Sequence, residues 1–453
     1  MMFLKDLFRD KEFNSKLIFL ALPITFQNVM IALVAAADAL MLGNLDQDAM
    51  AAVSLATQIQ FIQNVLLFSI IAGAGILGAQ YWGKKDMAVL GCIFGSNIRK
   101  CLLISILFFA GCRYFPEHLM RLFASDKILI DYGAMYLKTA SWSYLLSGVS
   151  QCYLGIMRVT DHATRSAVIS SGAVVLNIIF NALLIFGIAG FPALGIRGAA
   201  VATVCARIIE LLLCLSTGFE KNFLKLKLKE FFSFNKILEY DFWKYTLPVL
   251  GSGILWGIGF TSYTAIMGHL GRDSAAANSI AAVVRDLICC LCGGIAVGCS
   301  ILIGNELGAG RLETGRKYGD KSAVLSFLSG VISAVMILLS IPLVLKLVNL
   351  TPLAREYTIG MFLILSFYMI GRCICTVVIN GVFYAGGDSL FDVYSLVVCM
   401  WGIALPCAFF GAFYFHLPVL AIYACTCLDE VGKVPWVIWH YKKYKWVRNI
   451  TRS

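Results

Sequence analysis

Residues 22–83 reappear 225 positions later, at 247–308, without a gap. Leu22-Pro23 returns as Leu247-Pro248, Gly43-x-Leu45 as Gly268-x-Leu270, and Gly73, Leu77 and Gly83 as Gly298, Leu302 and Gly308. Both copies are strongly apolar. A duplicated hydrophobic unit commits the chain to two related halves, the arrangement in which many transporters set a substrate path between the halves.

The apolar character runs the whole length. Of 453 residues, 60% are hydrophobic and 14% charged, against roughly 25% charged in a soluble domain. The apolar runs are long enough to cross a bilayer core of about 30 Å as helices. They predict an all-α integral membrane protein with twelve transmembrane helices at 17–42, 51–81, 91–112, 131–157, 166–189, 194–218, 243–268, 276–305, 321–348, 356–384, 389–414 and 417–440. The runs argue against a β-barrel, whose strands alternate apolar and polar residues over about ten positions. The first run is too long for a cleaved leader, and Asp6, Asp10 and Glu12 are mixed with the lysines before it.

The net charge of +11 is not spread as a nucleic-acid-binding face would require. With the N-terminus placed in the cytoplasm, inner segments carry about 25 Lys and Arg and outer segments about seven, which follows the positive-inside rule and puts both termini inside. Six spans precede the basic, amphipathic segment 219–241 and six follow it, so the expected organisation is an N-lobe over 1–218, a cytoplasmic linker over 219–241 and a C-lobe over 242–453. Six-helix bundles entering the membrane in the same direction are related by a pseudo-twofold axis along the membrane normal. The remaining loops are short and no G-x-x-x-x-G-K-[ST] motif is present, so an ion or substrate gradient is the expected energy source. The sixteen cysteines fall largely inside spans, where they act as small apolar residues.

Several polar residues interrupt the apolar runs. Asp38 lies in an apolar helix, where a carboxylate costs several kcal/mol unless protonated, paired or ion-bound; it reads as a cation site or as the cap of the following turn. Pro23, fifteen residues earlier, can kink the same helix. Asn177 and Asn181 are one turn apart on one helix face, suited to ligating a proton relay or Na⁺ or to interhelical hydrogen bonding. Arg285, Asp286 and Arg372 form a second set, either a salt bridge involving Asp286 or a substrate-contacting surface. Arg207 with Glu210, and Asp429, Glu430 and Lys433, read as locally compensated charges. Trp256, Phe260, Tyr263, Phe367 and Tyr368 are able to line an apolar cavity and hold cations on their ring faces; each alone is equally a core or lipid-facing residue. No histidine, cysteine or nucleophile spacing reads as a catalytic centre.

Taken in order, Ala37-Asp-Ala-Leu-Met-Leu-Gly-Asn-Leu45, Ala51-Ala-Val-Ser-Leu-Ala56, Gly78-Ala-Gln-Tyr-Trp-Gly83, Leu176-Asn-Ile-Ile-Phe-Asn181, Gly195-Ile-Arg-Gly-Ala199, Met267-Gly-His-Leu-Gly271 and Ala385-Gly-Gly-Asp388 resemble the motifs of the multidrug and toxic compound extrusion (MATE) transporters over essentially the full chain. The resemblance implies a pair of six-helix bundles and export of bulky, often cationic, organic compounds in exchange for H⁺ or Na⁺. It implies an N-lobe cation site of Asp38, Asn177, Asn181 and Thr203, with Gln151 as a further polar ligand, and a helix-bending role for Pro23. Asn181 stands where the family carries Asp, which removes one negative charge from a Na⁺ site at Asp38, Asn177 and Asn181. The family's second branch carries a C-lobe Glu where this chain has Trp256, and Arg372 occupies the helix that would hold its Asp. The resemblance is therefore nearer the branch that couples through the N-lobe. Trp256, Tyr263, Arg285, Asp286 and Arg372 are the substrate-cavity candidates. The expected protein is a monomeric, multi-pass transporter of the bacterial plasma (inner) membrane, not an enzyme. It takes small-molecule substrates, has no nucleic-acid partner and needs no cofactor beyond the coupling ion. A flippase for a lipid-linked oligosaccharide is the alternative.

Overall fold

A computed structural model of the protein describes residues 10–43, 47–220, 223–224, 231–348 and 350–452; the side chains at 35–40, 42–43, 47 and 189 lie outside that description. The described residues are almost entirely helical and include no strand. The long helices are α1 (Lys11–Gly43), α2 (Gln47–Lys84), α3 (Met87–Tyr114), α4 (Lys127–Val159), α5 (Ala163–Phe186) and α6 (Ile196–Thr217). After the linker come α7 (Lys236–His269), α8 (Arg272–Gly308), α9 (Leu312–Leu347), α10 (Pro352–Phe383), α11 (Leu390–Phe413) and α12, which is broken into Val419–Thr426, Leu428–Val431 and Val434–Tyr441.

Ten of these, all but α4 and α12, are both long and apolar enough to cross a bilayer. The two exceptions have identifiable causes. α4 is 33 residues long but carries buried Ser141, Ser143, Ser147 and Ser150. Each hydroxyl donates to the carbonyl three residues back, at 2.6–3.3 Å, which satisfies it without an outside partner. α12 breaks before Leu428 and again before Val434; Pro435 opens the last piece, where its missing N–H would otherwise be a lost helical bond. α10 and α11 each contain a π-helical stretch, Thr376–Phe383 and Val397–Ala404, a rare widening of the helix that often marks functional sites.

The chain divides into two compact units. The N unit comprises Phe26–Gly78 and Asp86–Phe242. In it α4 packs between α3 and α6, and α5 lies on α6. The segment 221–230 falls mostly outside the described residues. Within it Phe223 is buried beside Tyr153 and His162, and beyond it Glu239 pairs with Lys100 at 2.7 Å.

The C unit runs from Trp243 onward and also takes in the chain up to Thr25 and Ala79–Lys85. Two close packings explain that membership. Gly294 and Gly298 of α8 seat Thr25 and Ala21 of α1 against bare backbone. The ends of α2 and α8 then cross. A Cβ on Gly83 would fall 2.0 Å from the carbonyl oxygen of Asn305, and one on Gly308 would fall 1.9 Å from that of Gln80. A shift of 225 residues turns Gly83 into Gly308 and Gln80 into Asn305, so the contact is reciprocal: the sequence repeat is a repeat of structure. Only glycine permits that approach.

The tail closes over this crossing. Trp446 is fully buried, against Gly319 and Gly386. Arg448 donates to the carbonyls of Gly386 and Gly387, both at 2.7 Å. Gln80 donates to Ala385 O at 2.7 Å and accepts from Ile450 N at 2.8 Å. The result is a strap from the last residues to the end of α2.

Candidate functional site

In the N unit the sequence-predicted polar residues of α5 and α6 meet. Asn181 donates to Asn177 Oδ1 at 3.2 Å, Asn177 donates to Thr203 Oγ1 at 3.3 Å, and Thr203 donates to Ala199 O at 3.0 Å. Asn177 and Asn181 are buried. The one-turn spacing on α5 aligns the two amides, and α5 stops soon after them because Gly187 turns left-handed at φ 69°. The chain of neutral oxygens and amides is thus held by two helices that pack on each other. Gln151, on α4, is half-buried; no hydrogen bond joins it to this chain among the described residues. Asp38 lies in α1, but its side chain is outside the described residues. Pro23 sits within α1, which continues through it as helix to Gly43. The C unit gives way to the N unit two residues later, after Thr25.

In the C unit the charges sort differently from their sequence grouping. Arg285 reaches Asp286 Oδ1 at 2.8–2.9 Å and lies 4.6 Å from the Phe260 ring centre. Asp286 is exposed rather than buried, with 64% of its side chain accessible. Arg372 is not neutralised by Asp286; its partner is Glu430 of α12, and it lies 5.8 Å from the Trp256 ring. Glu430 also takes Lys433 at 3.3 Å. The Glu430–Lys433 half of the cluster follows from i, i+3 spacing on a helix, whereas a partner 58 positions away on α10 left no sequence signal. Asp429 is excluded from these pairings: it is buried, and neither oxygen meets a hydrogen-bond donor. Local compensation holds for Glu430 and Lys433, and for Arg207 with Glu210 at 2.6 Å; Asp429 shares in it through the nearby charges of Lys433 and Arg372, without a hydrogen bond.

Of the substrate-cavity candidates, Tyr263 and Arg285 line a cavity among α7, α8, α10 and α12, together with Phe260, Tyr368 and Asp429. Trp256 packs against Phe260 with ring centres 4.5 Å apart and planes tilted by 41°. Phe367 is 75% exposed, as suits a ring in lipid.

The comparisons with known proteins agree with this architecture. The MatE family model matches residues 23–183 and 248–410, once in each half. An uncharacterized transporter, YisQ of Bacillus subtilis, is 26% identical over 429 residues, covering 93% of this chain and 92% of its own. A probable multidrug resistance protein, NorM of Thermotoga maritima, is 23% identical over 440 residues, covering 96% and 93%. Among solved structures, an outward-facing multidrug resistance MATE transporter of the MOP superfamily superposes with a TM-score of 0.87 at 16% identity, covering 95% of this chain and 96% of its own. A MOP-superfamily transporter from Pyrococcus furiosus, for which reverse polarity of the binding pocket suggests a different function, gives 0.86 at 16% identity with the same coverage. The last two show the shared fold. Matched in both halves of its repeat by one family model, this chain belongs to the MatE family and is a multi-pass membrane transporter, not an enzyme.

Proposed function

We propose that the protein is a secondary antiporter that exports organic cations or other amphipathic compounds across the plasma membrane in exchange for H⁺ or Na⁺, by alternating access, with both termini in the cytoplasm. The observation that carries this reading is the buried Asn181–Asn177–Thr203 hydrogen-bond chain of α5 and α6, in a chain whose first helix holds Asp38. Neutral amide and hydroxyl oxygens solvate a small cation but do not balance its charge. The carboxylate that balances it is assigned to Asp38, whose deprotonation or Na⁺ release then completes the cycle. Because Asn181 is uncharged, one carboxylate serves the site, which favours exchange of a single monovalent ion per turnover. The relatives' multidrug resistance names support the cargo class.

The flippase alternative calls for free cations to hold a pyrophosphate. Arg285 and Arg372 are each bound to a carboxylate, which argues against it. The test is ethidium retention in pump-deficient bacteria expressing wild type or Asp38→Asn, with and without a protonophore or Na⁺. Wild type is expected to clear the dye, and Asp38→Asn to retain it. Equal clearance by both removes Asp38 from the coupling site.

A further inference from the structure

The last piece of α12 runs into Tyr441-Lys-Lys-Tyr-Lys-Trp446, where aromatic residues and lysines separate. Trp446 is fully buried against Gly319 and Gly386. Tyr441 and Tyr444 both donate to Asp320 of α9. These three anchors fix the path of the segment, and Tyr444 adopts the left-handed region at φ 49° within it. Lys442, Lys443 and Lys445 are thereby left on the outside, and all three are exposed.

None of the three lysines forms an ion pair among the described residues. The acidic groups around the segment are engaged elsewhere. Asp320 takes the two tyrosine hydroxyls, and Asp388 pairs with His440 at 2.7 Å. Glu313 lies one helical turn from Arg316, whose guanidinium covers Tyr444 at 4.0 Å. The lysines therefore form a fixed patch of uncompensated positive charge.

An apolar stripe leads up to that patch. Leu428, Val431, Ile438 and Trp439 are exposed along α12. The backbone stays right-handed through both breaks, so this spacing puts them on one side, with Lys442 one turn beyond Trp439. The Lys443 ammonium lies 3.1 Å from the centre of the Trp439 ring. Tryptophan followed by lysine at the end of an apolar helix marks the boundary between acyl chains and headgroups. Basic residues immediately beyond such an end attract anionic headgroups, and here their backbone is already ordered, so little freedom is lost on binding.

We propose that the end of α12 is a docking surface for an anionic phospholipid. Its phosphate is held by Lys442, Lys443 and Lys445, and an acyl chain lies along Val431, Ile438 and Trp439. The assignment is independent of what the protein exports.

Trp439 itself reports the test. The full-length chain is reconstituted in phosphatidylcholine bilayers in which part of the lipid carries brominated chains, either as phosphatidylglycerol or as phosphatidylcholine. Bromine quenching reads which lipid sits against Trp439, and the matching Trp439→Phe protein supplies the emission of the other tryptophans. In wild type, phosphatidylglycerol is expected to be preferred by about fivefold, the contribution of one lysine at a membrane surface. Lys442→Gln/Lys443→Gln/Lys445→Gln, which changes exposed positions only, is expected to bring the two lipids to parity. Arg121→Gln/Lys127→Gln/Lys138→Gln, which removes three exposed cations of the N unit, keeps the wild-type preference. Equal quenching by both lipids in wild type, or an undiminished preference in the lysine triple variant, overturns the site. Loss of the preference in millimolar inorganic phosphate would make the patch a site for free anions and overturns the lipid assignment.

Discussion

At the scale of single residues, the structure is governed by which buried charge finds which partner. Glu430 carries both Arg372 and Lys433, so it is the pivot of the C-unit network. Glu430→Gln leaves two buried cations without their carboxylate. Breaking such a pair typically costs about 3 kcal/mol or more, and the variant is expected to melt well below wild type in detergent while Lys16→Ala, which breaks an exposed pair with Glu12, changes little. Outside the membrane, Asp10 accepts from Lys321 and from the Phe13 amide, and the Lys321 ammonium holds its carboxyl below the ordinary carboxylate value. A depressed folded-state pKa contributes stability above the unfolded value, and that contribution is lost as pH falls through the folded one. The melting-temperature advantage of wild type over Asp10→Ala should therefore be constant at neutral pH and shrink below about pH 4; an advantage that grows on acidification contradicts the assignment.

The helices show what a hydropathy reading captures and where it stops. Twelve spans were read as apolar runs, and ten of them are helices long and apolar enough to cross a bilayer, because lipid imposes both length and composition on a crossing helix. α4 is less apolar because its buried serines bond to their own helix, and α12 is broken where Pro435 and the Asp429–Glu430 pair interrupt an apolar run. The α5 site was legible because Asn177 and Asn181 are one turn apart, and a helix fixes what one turn means. The Arg372–Glu430 pair and the lack of a hydrogen bond at Asp429 were not, since both depend on how α10 meets α12. The role of Gln80 was equally hidden: its motif Gly78-Ala-Gln-Tyr-Trp-Gly83 places it beside a close crossing, but its ligands come from Ala385 and Ile450. The tail strap predicts that Trp446→Ala, which empties a fully buried site, costs about 3 kcal/mol and speeds backbone hydrogen exchange at Ala79–Lys84. Unchanged exchange there would mean that the tail covers the crossing without holding it.

For the whole molecule, the 225-residue repeat organises everything above it. The Gly83–Asn305 and Gly308–Gln80 contacts are images of each other, and the family model matches once in each half. The halves have nevertheless diverged in chemistry: the N unit holds a neutral amide–hydroxyl chain, whereas the C unit holds a dense cluster of charges in which Asp429 makes no hydrogen bond. The most direct test reconstitutes wild type and Asp38→Asn into liposomes loaded with ethidium and a pH dye, and imposes a proton or Na⁺ gradient. The account predicts dye movement against an opposing ion flux in wild type and none of either in Asp38→Asn; dye movement in wild type with no accompanying H⁺ or Na⁺ flux would contradict it.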